Sequence, residues 1–225
     1  MNIPYNIIRH YMKNVYFING TAYAGKSTMC AMLAERYGML HCEENYGLDE
    51  MLSIADPVLQ PNVSYPNVMP SWQHFVQRTP EEYQRWVDGN AVELAQFEVP
   101  ELIRRSAGGQ KLIVDTNIPV ELLHQISDYN HVAIMLSPQS MSAEHFFDRD
   151  DPEKQFLLSV IRSCPDPDAA LANFKACIAL INSPERYQAY LDSGFYTLIR
   201  ENTHTDTREE TLQKLAAHFG LTNAG

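Results

Sequence analysis

The sequence predicts an α/β fold, a three-layer αβα arrangement in which a parallel sheet carries helices on both faces. Two observations support this. Short apolar runs recur between helical stretches in the order strand, helix, strand, helices, strand, helix, strand, helices, strand, helix. That alternation suits a parallel sheet, because each parallel crossover needs a long connection, usually a helix. The first apolar run also ends at a glycine-bounded turn that opens a helix, and in such sheets ligands sit at the carboxyl ends of the strands.

The elements follow in order. Residues 1 to 13 mix Asn, Arg, His and Lys with isolated apolar residues and read as a short extension or helical turn before the first strand. Val15–Asn19 is a β-rich apolar run of the kind buried in a parallel sheet. Lys26 to Tyr37 has helical spacing through Met29, Met32, Leu33 and Arg36, with Gly38 as its stop. Met39–Cys42 is the second strand. Residues 48 to 80 are rich in Pro and Asn and read as short helices and loops around an open site. Glu81 to Arg105 reads as one long helix or two joined ones, with Pro80 near its start and Pro100 kinking or dividing it. Lys111–Asp115 and His131–Leu136 are strands, separated by a short helix over Pro119–Ser127. Ser140 to Leu191 reads as helical, broken by prolines. Phe195–Arg200 is the last strand. The segment Thr207-Arg208-Glu209-Glu210 reads as a capping box that opens a helix to Phe219, stopped by Gly220.

Composition narrows the function. The chain has 225 residues, 45% of them apolar, which suits one domain over 1–225 with insertions. The net charge is −11, so nucleic acid and acidic membranes are not expected partners. Cys30, Cys42, Cys164 and Cys177 form no CxxC pair and match no zinc module. They read as reduced, mostly buried thiols. No apolar run is long enough to span a bilayer, and the N-terminal stretch lacks a signal-peptide core. A cytoplasmic protein is expected.

The most informative segment is Gly20-Thr21-Ala22-Tyr23-Ala24-Gly25-Lys26-Ser27, followed by Thr28, which fits GxxxxGK[ST] between a strand and a helix. Glycines let successive backbone N–H groups turn inward on phosphate oxygens, and the helix N-terminus adds partial positive charge. Lys26 reaches the β- and γ-phosphates and Ser27 ligates magnesium in that pattern. The plain alternative is a glycine-bounded turn with a surface lysine. Asp115 ends an apolar strand where a magnesium-organising carboxylate belongs, although Thr116, Asn117 and Pro119 behind it also suit a helix-capping Asp.

Further candidates lie around this point. Glu43 and Glu44 follow the second strand, where a carboxylate can accept a proton from a substrate hydroxyl. Glu44 is taken as the catalytic candidate, and a solvated loop pair is the alternative. His145, Arg149, Lys154 and Arg162 lie in the helical stretch after Leu136. Arg149 and Arg162 are the candidates for a cation that closes over a transferring phosphoryl group, although Arg149 sits in a charged Asp-Arg-Asp-Asp run that also suits a solvated turn. Trp72, His74, Phe75, Arg78, Tyr83, Arg85 and Trp86 form an aromatic and basic cluster that suits either an acceptor site or a packed helical subdomain. Arg78 is the candidate for substrate binding.

Taken in order, Gly20–Thr28, the carboxylate pair after the second strand, LIVDT at 112–116, HVAIML at 131–136, the helical stretch after it and the segment 195–221 resemble the P-loop nucleoside and nucleotide kinase group, which includes shikimate- and gluconate-kinase-like enzymes. The resemblance implies a five-stranded parallel sheet, an acceptor-binding helical region over 43–106 and a helical lid over 138–192. It implies ATP and magnesium held by Gly20, Gly25, Lys26, Ser27, Thr28 and Asp115, with 201–205 near the adenine. The chain departs from the pattern in having Glu43-Glu44 in place of an Asp-x-Asp, no closely spaced arginine pair in the lid, and a longer lid region. The expected function is transfer of the γ-phosphoryl of ATP to a nucleoside, nucleotide, sugar or hydroxy acid. The alternative is an ATPase or nucleotide-dependent switch acting on a protein partner, and a third reading is a non-catalytic nucleotide-binding module. The guanine-reading Asn-Lys-x-Asp pattern is absent, which favours ATP over GTP.

Overall fold

The structure, a computed structural model, describes residues 5–138, 146–147, 152–200 and 206–221. Among these residues there are five strands: β1 (Val15–Gly20), β2 (Leu40–Cys42), β3 (Leu112–Asp115), β4 (Val132–Leu136) and β5 (Tyr196–Ile199). They form one parallel sheet in the order β2-β3-β1-β4-β5. Every residue of β1, β3 and β4 is buried, as expected for central parallel strands covered on both faces.

The helices are α1 (Tyr5–Tyr11), α2 (Lys26–Tyr37), α3 (Leu48–Ile54), α4 (Tyr65–Val68), α5 (Trp72–Val76), α6 (Pro80–Arg105), α7 (Val120–Ile126), α8 (Pro152–Arg162), α9 (Pro167–Ile181), α10 (Pro184–Leu191) and α11 (Arg208–His218). Side chains alternate across the sheet, and the two faces build separate cores. Val15, Phe17, Leu112, Val114, Val132 and Ile134 pack against Ala95 and Leu102 of α6 and Leu123 and Ile126 of α7. Tyr16, Ile18, Ile113, Ala133 and Met135 pack against Met29, Cys30 and Leu33 of α2 and Leu212, Leu215 and Ala216 of α11. These are the three layers expected from the alternation of elements.

A third core lies away from the sheet. Phe75, Val76, Tyr83, Val160, Ile161, Phe174 and Ile178 join α5, the start of α6, α8 and α9. Its aromatic rings meet edge to face, Phe75 with Trp86 at 4.9 Å and Tyr83 with Phe174 at 5.4 Å. Most of the aromatic cluster seen in the sequence is therefore packing. Helix α6 links this core to the sheet, because its first turns carry Tyr83 and its last carry Leu102.

Local chemistry explains the ends of the helices. Thr79 caps α6 with a full capping box: its hydroxyl accepts from the Glu82 N–H at 3.2 Å, and the Glu82 carboxylate accepts from the Thr79 N–H at 3.0 Å. The helix runs unbroken through Pro100, which lies on its exposed face. The capping box expected at Thr207 does not form. The Thr207 side chain makes no cap bond. Instead the Asp206 carboxylate accepts from the Arg208 N–H, and Glu210 pairs with Lys214 one turn on. Gly38 ends α2 in the left-handed conformation, at φ 64°. All four cysteines are free and buried. Among the described residues no helix is long and apolar enough to cross a membrane.

One buried carboxylate fastens the 48–70 segment to α6. Glu93 accepts from the N–H groups of Asn62 at 2.8 Å and Val63 at 2.9 Å, and from the Asn62 side-chain amide at 2.6 Å. Glu93→Ala leaves those donors without partners, so we expect a loss of about 2–4 kcal/mol in urea unfolding. An unchanged urea midpoint would show that the segment is held by other contacts.

Candidate functional site

The site grows from the end of β1. In the sheet register Gly20 lies beside Met135 and Ile18 beside Asp115, so the glycine and the carboxylate arrive at one edge. Gly20 has φ 133°, and a Cβ there would lie 1.9 Å from the Met135 carbonyl oxygen. Only glycine fits where the chain turns this close to a neighbouring strand. The Thr21 N–H then donates to that same carbonyl at 3.0 Å. Asn19, polar within a buried strand, accepts from the Gly20 N–H at 2.5 Å and donates to the Ile118 carbonyl at 2.7 Å. Ser137, just past β4, donates from its N–H to the Thr21 hydroxyl at 2.8 Å and from its hydroxyl to the Ala22 carbonyl at 2.8 Å.

At the top of the loop Tyr23 is buried in the left-handed conformation, φ 65°. For a non-glycine residue this costs about 1–3 kcal/mol and must be held by its surroundings. Arg200, directly after β5, donates from Nη1 to the Tyr23 carbonyl at 2.7 Å. Lys154 of α8 places its Nζ 5.6 Å from the Tyr23 ring centroid. Gly25, at φ 90°, turns the loop into α2, and Lys26 is the first residue of that helix.

Three side chains meet below the loop. Ser27 Oγ donates to Asp115 Oδ2 at 2.6 Å, and Lys26 Nζ lies 3.7 Å from Asp115 Oδ1. Lys26 and Asp115 are both buried, and Oδ1 accepts no hydrogen bond. Burial pushes the Asp115 carboxyl up from its ordinary value, against the pull of Lys26 and Ser27. A buried acceptor oxygen without a donor, beside a hydroxyl at a helix N-terminus, suits a hydrated hard cation carried in with a phosphate chain. Among the described residues no three His, Cys, Asp or Glu side chains group to hold a metal by themselves. Magnesium would thus draw its other ligands from phosphate and water, with Ser27 in contact and Asp115 holding Ser27.

The loop separates two cavities. One, of about 330 Å³, runs over Ala24, Gly25 and Thr28 to Leu198 and Arg200 and to Arg208, Thr211 and Lys214 at the start of α11. It is bounded by both ends of the 201–205 segment, which itself lies outside the described residues. The other, of about 310 Å³, has Gly20, Thr21, Ala22 and Asp115 on one side and α6, α9 and α10 on the other.

Glu44 lines this second cavity, and its Oε1 accepts from Asn117 Nδ2 at 2.9 Å. Glu43 points to solvent and lies 4.0 Å from His41 Nδ1. A carboxylate not singled out by the sequence also faces the cavity. Glu98 of α6 lies 3.5 Å from the Thr116 hydroxyl, and burial, with Glu44 adding to the effect, raises its carboxyl to about 7. Nothing in the local pattern distinguishes Glu98 from Glu93 or Glu101 on the same helix. Only the docking of α6 on the sheet turns it toward Asp115.

The remaining candidates fall elsewhere. Arg149 lies outside the described residues. Arg162 is exposed at the end of α8, about 12 Å along the helix axis from Lys154. The described cation of that helix nearest the loop is thus Lys154. Arg78 does not line either cavity. Its guanidinium lies 3.7 Å from the Tyr65 ring centroid, with Phe75 at 5.5 Å and Trp86 at 5.8 Å. Arg186 of α10 does line the second cavity and donates to Asp88 of α6. The sequence signal for Arg200 was its place at the carboxyl end of a strand; for Arg186 and Glu98 there was none.

No family model matches the chain, and no curated protein matches it. Among solved structures it is similar to the dephospho-CoA kinase from Campylobacter jejuni, at 13% sequence identity and a TM-score of 0.43, over 91% of this chain and 97% of that one.

Proposed function

We propose that the protein is an ATP- and magnesium-dependent phosphotransferase that moves the γ-phosphoryl of ATP to a small-molecule hydroxyl. The observation that supports this is the position of the Lys26–Asp115–Ser27 group on a phosphate loop that forms a wall of both cavities. The cavity at Arg200 and α11 takes the nucleotide, and the one between the loop and α6 takes the acceptor. A purely hydrolytic switch has no need of a second cavity across the loop from the nucleotide.

In this reading the loop Gly20–Thr28 wraps the phosphates, and Lys26 offsets charge on the β- and γ-phosphates. Ser27 would hold magnesium, which would supply further positive charge at the transferring group. The acceptor oxygen forms a bond to phosphorus as the bond to the β,γ-bridging oxygen breaks, and ADP leaves. The acceptor proton passes to a carboxylate of the cavity. Glu98 suits that role, because a base works best with a pKa near the working pH. Glu44, steadied by Asn117, then orients the acceptor. Lys154, against Tyr23, and Arg149 and Arg162 of the same region are the proposed lid cations. Arg78 remains a proposal for acceptor binding only if closure opens its aromatic cage.

ATP consumption with magnesium, measured against nucleosides, sugars, hydroxy acids and nucleotides, tests the proposal. One acceptor should raise turnover well above the acceptor-free rate, and Lys26→Ala should abolish the increase. Slow hydrolysis unchanged by every acceptor would favour the switch with a protein partner instead.

The pH dependence follows from Glu98. Its raised carboxyl must lose its proton to act as a base, so kcat/KM should rise with pH through about 7 and then level off. Glu98→Gln should lower the rate by about 10²–10⁴-fold and remove that limb. A surviving limb in the variant would move the base to another group.

A further inference from the structure

Resting on the phosphotransferase reading, the acceptor cavity itself says what kind of molecule it takes. Its described lining carries the acidic side chains Glu44, Asp88, Asp115 and Glu98, the last fully charged only above about pH 7, against one cation, Arg186. Asp115 is answered by Lys26 from below. Arg186 donates from Nη2 to Asp88, while its Nη1 is buried without a hydrogen-bond partner and is closed to solvent. An incoming anion that displaced Asp88 would only exchange one carboxylate for another and leave Asp88 uncompensated in the same wall. Glu44 and Glu98 receive only neutral donors, the Asn117 amide and the Thr116 hydroxyl. The rest of the polar lining is uncharged, with Asn45, Asn90, Asn182, Tyr187 and Tyr190.

A phosphate or carboxylate on the acceptor would therefore enter a wall with more acidic than basic groups, in which the one described cation already donates to Asp88, which is how a site rejects a ligand. Hydroxyl and ammonium groups meet the opposite situation, because carboxylates, amides and tyrosines bond them directly. Trp86 and Phe146 add ring faces for an apolar or ring-shaped body.

We propose that the acceptor is uncharged or cationic, a hydroxyl-bearing sugar, aminocyclitol or nucleoside, and that the juxtaposition of Glu44 and Glu98 across the cavity excludes nucleotides and hydroxy acids.

The first test needs no knowledge of the acceptor. The chain has two tryptophans, so Trp72→Phe leaves Trp86 as the single indole, on the cavity wall. Caesium should quench its fluorescence more strongly than iodide, each measured relative to neutral acrylamide. Adding Glu44→Gln and Glu98→Gln should shrink that ratio at least twofold. Stronger quenching by iodide, or a ratio indifferent to the two carboxamides, overturns the proposal. If Trp72→Phe folds poorly, ¹⁹F relaxation of 5-fluorotryptophan at position 86 in the unmutated protein, with cationic and anionic nitroxides, reads the same contrast.

The second test uses MgATP with matched acceptors: glucose, glucosamine and glucuronate, and adenosine with its monophosphate. A neutral or cationic member should exceed its anionic partner by at least tenfold. An anionic member that is the best acceptor overturns the proposal while leaving the phosphotransferase reading intact. If no acceptor of any charge raises turnover, that reading fails, and the quenching ratio still decides the sign of the cavity.

Discussion

The buried carboxylate of Asp115 is the point on which the rest of this site depends. It ends the strand next to β1, and both charged and neutral donors converge on it from the first turn of α2. A carboxylate this enclosed is unfavourable unless it is paired. Lys26 and Ser27 supply that pairing in the absence of nucleotide, and they are the same groups a phosphate chain and its magnesium would engage. Oδ1, which faces Lys26 at 3.7 Å, accepts no hydrogen bond.

Around this point the loop is held from the ends of β4 and β5. β4 comes so close at Met135 that only glycine fits at position 20. Ser137 fastens the start of the loop and Arg200 fastens its top at the carbonyl of a left-handed Tyr23. The strained residue and its clamp belong to opposite ends of the chain, so the loop takes this form only when the last strand has joined the sheet.

The helical layer contributes the other half of the site. α6 is long enough to take part in the core under the sheet and in the aromatic core away from it. Between those two anchors it presents Asp88, Leu94 and Glu98 to the cavity facing the loop. This side of the cavity is thus built on a long helix, and the Pro-rich segment is fastened to that helix by Glu93. Lys154 of α8 reaches the loop from the same layer.

The sequence by itself determined the fold class and the glycine-bounded turn between β1 and α2. Short continuous apolar runs, period-3.6 helical patterns, that turn and a lysine-serine pair are local features, and they place Gly20 to Thr28 and the carboxyl end of β3 without reference to distant residues. The same local reading went wrong at Thr207, where a sound capping pattern is overridden because Asp206 satisfies the Arg208 N–H and Lys214 draws Glu210 away. It also could not choose among the acids of α6 or the cations of the lid. Only the tertiary structure turns Glu98 toward Asp115 while Glu93 is spent on backbone donors and Glu101 on Arg104 and Arg105. It also stacks Arg78 among aromatic rings and places Arg186 beside Asp88 on the cavity wall. The physical reason is that a side chain's charge state and reach depend on what packs against it from remote parts of the chain, which no short stretch of sequence encodes.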